Sequence, residues 1–479
     1  MSVGISKLLR GGSLMVGGQA GSQALSFLRN ALIGRMVSKE DFGIAATFTI
    51  TVSLFELISQ MAVDQLLVQA KDGDDPELQN AAHLVTITRG IVGAVFMFFL
   101  APIITKLFDI PEATWAFRWL ALVPLLRGFI HLDPQRYQRD MRLAPLVLIE
   151  FIPQVVMALA VYPLIEWLGD YSAVLWLVII QAGIFLIVTH LLAERPYGIS
   201  FNQGYLERIF IFGWPLLING LLMFGIFQGD KIIVGKMYDI EFLGVYSAAF
   251  MMTMTPAMLI IKTIRSLLLP IFSRSQSKRT QFIKRYSLGI ELLSLLTGLF
   301  AIFFIVCGGT TLSFVFGDKY IGYGAIVGWT GIMWSIRILR SVPTIAAVAM
   351  GDTKNSMISN FYRTLALFFT LMVALKGGNL AMIAASGAVG EVLALVVTAW
   401  RLQNLQKIPI NICFIPLVIT IIFWGVSWLI VLTLGENSNF VLGIISLALV
   451  SLTFAVSTAL ICGELRKSLF KACFSVIKK

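Results

Sequence analysis

Runs of about twenty mostly apolar residues recur from one end of this chain to the other, and no other feature limits its fold as much. Twenty residues of α-helix rise about 30 Å, the thickness of a bilayer's hydrocarbon core. Spans are expected near 11–33, 42–63, 84–105, 114–131, 144–165 and 172–192, then near 209–233, 242–263, 287–307, 322–342, 356–375 and 380–400. A last pair lies near 412–434 and 440–462. The pattern predicts an all-α polytopic membrane protein of about fourteen transmembrane helices. The first and fourth runs are the least apolar of the set. Composition agrees: 58% of the 479 residues are hydrophobic and 13% charged, against roughly 45–50% and about 25% in soluble domains.

The net charge of +11 would suggest nucleic acid for a soluble chain; here it reads as cytoplasmic loops, and no nucleic-acid partner is expected. Lys7, Arg10, Lys71, Arg136, Arg139, Arg142, Arg195 and Arg208 fall on one side of the membrane. The dense cluster from Lys262 to Arg285 and the tail from Arg466 to Lys479 fall there too. The opposite side carries only Arg35, Lys39, Lys106, Lys236, Lys319 and Lys376. The positive-inside rule therefore places both termini in the cytoplasm, and an even helix count agrees. The acidic turn from Asp72 to Glu77 also falls inside; acidic residues count little in that rule. The Gly/Ser/Gln-rich segment after Arg10 has no short apolar core and cleavage site, so it reads as an uncleaved first helix.

The chain is duplicated. Gly34, Arg35, Met36, Glu40, Gly43 and Ile44 line up with Gly235, Lys236, Met237, Glu241, Gly244 and Val245 at a constant offset of 201 residues. In that register Arg29 falls opposite Asp230, and Asn30 opposite Lys231. Further on, Leu107 to Asp109 with Trp119 resembles Val315 to Asp318 with Trp329. Asp140 to Arg142 resembles Asp352 to Lys354, by which point the offset has drifted to about 212. Three regions follow: an N-terminal six-helix bundle over 1–200, a second over 201–405, and two additional helices with a basic tail over 406–479. Six helices per copy is an even number, so both copies enter from the same side. That predicts parallel repeats with a central cavity.

Ionisable residues inside spans are costly and point to a cavity. In the first copy these are Arg29, Glu56, Glu150, Arg118 and Arg127; in the second they are Asp230, Lys231, Arg337, Arg340 and Glu391. Symmetry favours Arg29, Asp230 and Lys231 as cavity residues. The alternative is internal pairing, as of Lys231 with Asp230, or snorkelling to an interface. Arg337 and Arg340, three apart, share a helix face. Gln19, Ser22, Gln23, Ser26, Arg29 and Asn30 form a polar stripe on the first helix, while Gly17, Gly18, Gly21 and Ala24 permit close packing on another face. Asp64 and Arg265, also 201 residues apart, are expected to form a cytoplasmic gate or else to be two unrelated boundary charges.

Enzymatic readings fail on spacing. Gly229 to Lys236 superficially suggests a phosphate loop, but the glycine spacing is too long and Met237 replaces the hydroxyl residue. The four cysteines and the three histidines (His83, His131, His190) are scattered without metal or disulfide spacing. No catalytic residue, cofactor or metal is expected.

Gly11 to Ser13, Leu25 to Phe27, Ala31 to Arg35 and Asp41 to Ile44 resemble the opening of polysaccharide-transport flippases. Leu66 to Lys71 with the acidic turn after it looks like their connection between second and third helices. Asp230 to Lys236 and Leu243 to Ala249 are similar to the start of their second half. These proteins belong to the multidrug/oligosaccharidyl-lipid/polysaccharide superfamily. The resemblance implies two six-helix bundles, often with two extra helices. It also implies translocation of an undecaprenyl-diphosphate-linked oligosaccharide to the outer leaflet of a bacterial inner membrane. A polysaccharide polymerase and a chain-length regulator are the protein partners it implies. Arg29 and Asn30 resemble an Arg-Asp pair of the related lipid II flippases; Asn30 lacks that carboxylate. Such a substrate needs cations in a wet cavity, which Arg29, Lys231, Arg127 and Arg337 would supply. Coupling to a proton or sodium gradient would fall to Glu56, Glu150, Asp230 or Glu391. A multidrug antiporter of the same superfamily is the rival reading, expected to carry a more acidic and aromatic cavity. A membrane polymerase or ligase would carry a sizeable outer loop, and no loop here is long enough for one.

Overall fold

The computed structural model describes residues 5–59, 63–140, 142–434 and 440–467. The described residues form helices and short connections, and helices cover each of the expected apolar stretches. Ten are long and apolar enough to cross a membrane, so the chain is a multi-pass membrane protein. The molecule divides into two compact units, Met1–Gly244 and Val245–Lys479. That division follows packing, whereas the boundary at 200/201 follows the repeat.

The first unit holds α1 (Ile5–Met36), α2 (Lys39–Ser59), α3 (Val63–Gln69) and α4 (Pro76–Leu107). It continues with α5 (Thr114–Leu120), α6 (Leu122–Gly128), α7 (Asp133–Arg139), α8 (Leu143–Leu168), α9 (Tyr171–Leu191) and α10 (Gln203–Met237). The weakly apolar fourth run is built as two short helices, α5 and α6, with a break at Ala121. Helix α6 meets α4 at paired glycines: a β-carbon on Gly90 would lie 2.6 Å from the Gly128 Cα. Helix α10, which opens the second sequence copy, packs against α2 and α4 of this unit.

The matching glycines of the two copies also meet inside the first unit. A β-carbon on Gly43 would collide with the carbonyl oxygen of Ile240, and one on Gly244 with that of Lys39. Ile240 is itself the repeat mate of Lys39, so the contact is reciprocal, as at a twofold axis. Lys39 Nζ reaches Glu241 Oε1 at 2.5 Å across the same crossing.

The connector between α9 and α10 is densely held. The Asp133 carboxylate accepts from the backbone N–H groups of Glu194 and Arg195 and from Arg136. Burial opposes ionisation there, yet the Arg136 hydrogen bond and those two backbone donors outweigh it and hold the carboxyl at about 2. Arg195 donates to the backbone and carboxylate of Asp74 and to Gln79. Asn202 donates to Glu77, Tyr205 to Asp75, and Arg208 makes a bidentate pair with Asp72 at 2.6 and 2.9 Å. The Arg208 hydrogen bond holds the Asp72 carboxyl below the usual carboxylate range. Each carboxylate of the acidic turn is thus held by a partner from the connector or α10, two of them by an arginine.

All three histidines, scattered in the sequence, converge on that connector. His83 stacks on Tyr197 at 4.2 Å, and His131 lies 5.0 Å from His83 and 5.2 Å from His190. Leu132 N–H donates to His83 Nε2, so the His83 proton sits on Nδ1 and is given to the Gly198 carbonyl. Asp133 N–H donates to His131 Nδ1, leaving Nε2 to donate to the Arg195 carbonyl. Each ring nitrogen in these two bridges is spent on backbone.

The second unit holds most of α11 (Ile240–Ser273), then α12 (Arg279–Phe316), α13 (Gly324–Ala349), α14 (Lys354–Thr364), α15 (Ala366–Leu375), α16 (Leu380–Gln406), α17 (Phe414–Leu434) and α18 (Phe440–Ile461). Helices α12 and α13 form its core, brought close by Gly308 against Val327 and Gly331 against Phe304. Ser335 donates to the Thr297 carbonyl at 2.5 Å between them. Helix α18 packs Phe454 against Gly298 of α12 and against Phe423 of α17.

Candidate functional site

Arg29 is where the polar stripe of α1 meets its surroundings. Small residues on the stripe's other side allow α1 to pack on α8: a β-carbon on Gly18 would strike Val147. That packing directs the Arg29 guanidinium to Gln154 on α8 at 3.4 Å and Gln181 on α9 at 3.1 Å. Asn30 and Ser26 complete the set from its own helix. Every one of these partners is neutral, and no carboxylate pairs with Arg29 among the described residues. Amides orient a guanidinium without cancelling its charge, so Arg29 remains a full cation for an anionic ligand. Gln154 and Gln181 were legible only as isolated amides inside apolar runs. Gln19 and Gln23 are partly buried on the same helix.

A second polar station is a cavity of about 340 Å³ in the first unit, enclosed by α2, α3, α4, α6 and α9. Glu56, Asp64, Arg89 and Arg127 line it, with Thr86 and Phe185. Glu56 and Arg127 form an ion pair, and Arg89 interacts electrostatically with both carboxylates. The glycine crossing explains the arrangement. Arg89 precedes Gly90 and Arg127 precedes Gly128, so one close approach brings both guanidiniums to one place. The repeated Arg-Gly pair was the signal in the sequence, and Arg89 was missed. Two carboxylates and two guanidiniums make a charge-balanced set, so Arg127 answers Glu56 and is not a lone cation. Asp64 faces this cavity; Arg265 is exposed on α11.

The third station is in the second unit. Glu391 on α16 is fully buried, and three guanidiniums converge on it: Arg337 at 3.4 Å, Arg340 at 3.2 Å and Arg363. Gly390 beside it makes room for α14 and α15, since a β-carbon there would meet Ala366 and the Arg363 carbonyl. Arg340 also donates to Ser359 and Asn360 at 3.2 Å, and Arg337 lies 5.0 Å over the Trp334 ring. Helices α13 to α16 contain no carboxylate besides Glu391, so the cluster carries a surplus of two positive charges. Three guanidiniums repel a sodium ion by Coulomb's law, which suits Glu391 to the role of counter-ion. Arg363 escaped sequence reading because it sits where α14 gives way to α15, and the run resembles a span boundary.

Asp230 is buried and Lys231 partly buried near the C-terminal end of α10, and Gln228, two residues before Asp230, donates to Ser53 of α2 at 3.4 Å. Glu150 is exposed on α8. Arg29, Asp230 and Lys231 all belong to the first unit, and Arg337, Arg340 and Glu391 to the second.

This is the architecture of a multi-pass helical membrane protein with charged stations among its helices. Its fold matches that of the lipid II flippase MurJ in an inward closed conformation, with a TM-score of 0.73 over 93% of this chain and 98% of that one at 15% identity. An inward-facing multidrug resistance MATE family transporter of the MOP superfamily matches with a TM-score of 0.64, over 80% of this chain and 96% of the other, at 14% identity. The polysaccharide biosynthesis protein family matches residues 32–324, and the chain belongs to that family. It is similar to the teichuronic acid biosynthesis protein TuaB of Bacillus subtilis (strain 168), 21% identical over 84% of this chain and 85% of the relative. The succinoglycan biosynthesis transport protein ExoT of Rhizobium meliloti (strain 1021) is 22% identical over 71% and 73%.

Proposed function

We propose that this protein is a flippase, not an enzyme, and that it moves a polyprenyl-diphosphate-linked oligosaccharide from the inner to the outer leaflet of a bacterial cytoplasmic membrane. The observation that carries this reading is Arg29, a cation on the polar stripe of α1 held by four neutral side chains. A diphosphate is the complementary ligand, and guanidinium–phosphate hydrogen bonds are among the strong ones in a site of low dielectric. Asn30, Asp230, Lys231, Gln19 and Gln23 are the proposed companions on α1 and α10. The relatives named for polysaccharide assembly support the substrate class, and the cationic surplus disfavours a drug-cation antiporter. The repeat halves 1–200 and 201–405 are the proposed moving bundles of an alternating-access cycle, with both termini cytoplasmic. Glu56, Glu150 and Asp230 are the proposed coupling carboxylates for a proton or sodium ion, with Glu391 assigned instead as the counter-ion of its arginines. A polymerase and a chain-length regulator are the proposed protein partners.

The test is complementation of a deletion strain with scoring of surface polysaccharide. The intact chain restores export; Arg29→Ala at equal expression lowers it at least tenfold, and Arg29→Lys keeps part of it. Normal export from Arg29→Ala would remove the site. Intact polysaccharide in the deletion strain together with raised drug susceptibility would move the protein to the antiporters.

A further inference from the structure

Helices α4 and α5–α6 pack side by side, tied at both ends. At one end Gly90 and Gly128 bring the backbones together. At the other, Thr105 Oγ1 and Thr114 Oγ1 are hydrogen-bonded at 2.8 Å. Between these ties lies an open groove of about 670 Å³, within the size range of built ligand pockets. Val95, Phe98 and Phe99 line it from α4, and Trp115 and Trp119 from α5, all five exposed. Arg118 is the charged member of the lining. Its guanidinium lies 5.5 Å over the Phe98 ring, and no ion pair or hydrogen bond of that guanidinium is found among the described residues.

We propose that this groove is a phospholipid site, with an acyl chain between Val95, Phe99 and Trp119 and the headgroup phosphate on Arg118. Helix α5 begins at Thr114, so Arg118 lies one turn, about 6 Å, from its end, at headgroup depth in the outer leaflet under the proposed orientation. Tryptophans gather at that depth because their rings suit a boundary between apolar chains and polar headgroups. A guanidinium with an aromatic face on one side and no carboxylate partner meets phosphate as its nearest counter-charge in a bilayer. The groove is open along one face of the helix pair, so lipid occupation fills space the protein leaves uncovered between two fixed points. The site shares no residue with the Arg29, Glu56 or Glu391 stations and stands whether or not the flippase reading does.

Native mass spectrometry of the full, detergent-purified chain tests it, titrating phosphatidylglycerol and, separately, a chain-matched diacylglycerol and a polyprenyl monophosphate. The intact protein is expected to hold one phosphatidylglycerol about tenfold more tightly than diacylglycerol. Arg118→Gln is expected to erase that preference, Arg118→Lys to keep about a third of it, and Val95→Trp to weaken both glycerolipids by filling the groove. Unchanged lipid-free melting of each variant shows that the fold is intact; a variant that melts lower is replaced by Arg118→Met, judged by the same ratio. Equal retention of the two glycerolipids by the intact protein, or an unaltered ratio in Arg118→Gln, overturns the proposal by showing only annular lipid. Tighter binding of polyprenyl monophosphate than of phosphatidylglycerol overturns it as well, since the groove would then belong to the substrate lipid.

Discussion

Glu391 shows how one carboxylate can hold three helices. Its two oxygens are shared among guanidiniums from α13 and α14, and removing its charge takes away the counter-charge that three buried cations share. Breaking a buried ion pair by deleting one partner costs about 3–5 kcal/mol, so Glu391→Gln is expected to lower the detergent melting temperature of the full chain sharply. Arg337→Gln leaves the carboxylate with two partners and is expected to cost less. A Glu391→Gln protein that melts with the intact one would show that the surplus charge is already neutralised elsewhere. Arg337, Arg340 and Glu391 were legible singly, as charges stranded in apolar runs. Their union was not, because it depends on Arg363, whose position is decided by a helix break that hydropathy does not mark. The same holds for Arg89, whose meeting with Arg127 depends on a tertiary glycine crossing.

At the scale of elements, positions and types of the helices followed from run length and periodicity. The fourth span departs most: its weak hydropathy corresponds to a helix broken at Ala121 and shared between α5 and α6. The reciprocal crossing at Gly43 and Gly244 was visible as aligned glycines of a repeat, but the reason for them was not. Each is the one residue type that admits the other helix's carbonyl at that distance. Gly43→Val puts two methyl groups into the Ile240 carbonyl and is expected to separate α2 from the start of α11. A cysteine pair at Lys39 and Glu241, whose side chains now meet at 2.5 Å, then crosslinks at least fivefold less than in the Gly43 parent. Equal crosslinking would mean that the helices shift along each other without parting.

At the scale of the whole molecule, repeat and packing divide the chain differently. The repeat ends before α10, yet α10 is tied to the first unit at both ends, by Arg208 to Asp72 near its start and by Lys236 to Asp109 near its finish. A fragment of residues 1–238 is therefore expected to be the stable piece. One of residues 1–200 lacks Asn202, Tyr205 and Arg208 as partners of the acidic turn and the cover over α2, and should melt lower by ~5 °C or more. Equal melting of the two fragments would show that α10 adds nothing to the first unit. Sequence reading set the repeat boundary from internal similarity, which records how the chain was built. Packing records which side chains now share partners, and those partners are distant in sequence.

The acidic turn carries a consequence for how the chain is made. Asp72 precedes its partner Arg208 by 136 residues. At about 5–20 residues per second of synthesis, the turn waits roughly 7–27 s for that arginine. Through that interval four more apolar segments leave the ribosome while the loop after the second still bears uncompensated carboxylates. The nascent chain thus has a timed window in which the membrane-insertion machinery, and not the protein itself, holds that loop on its side of the membrane.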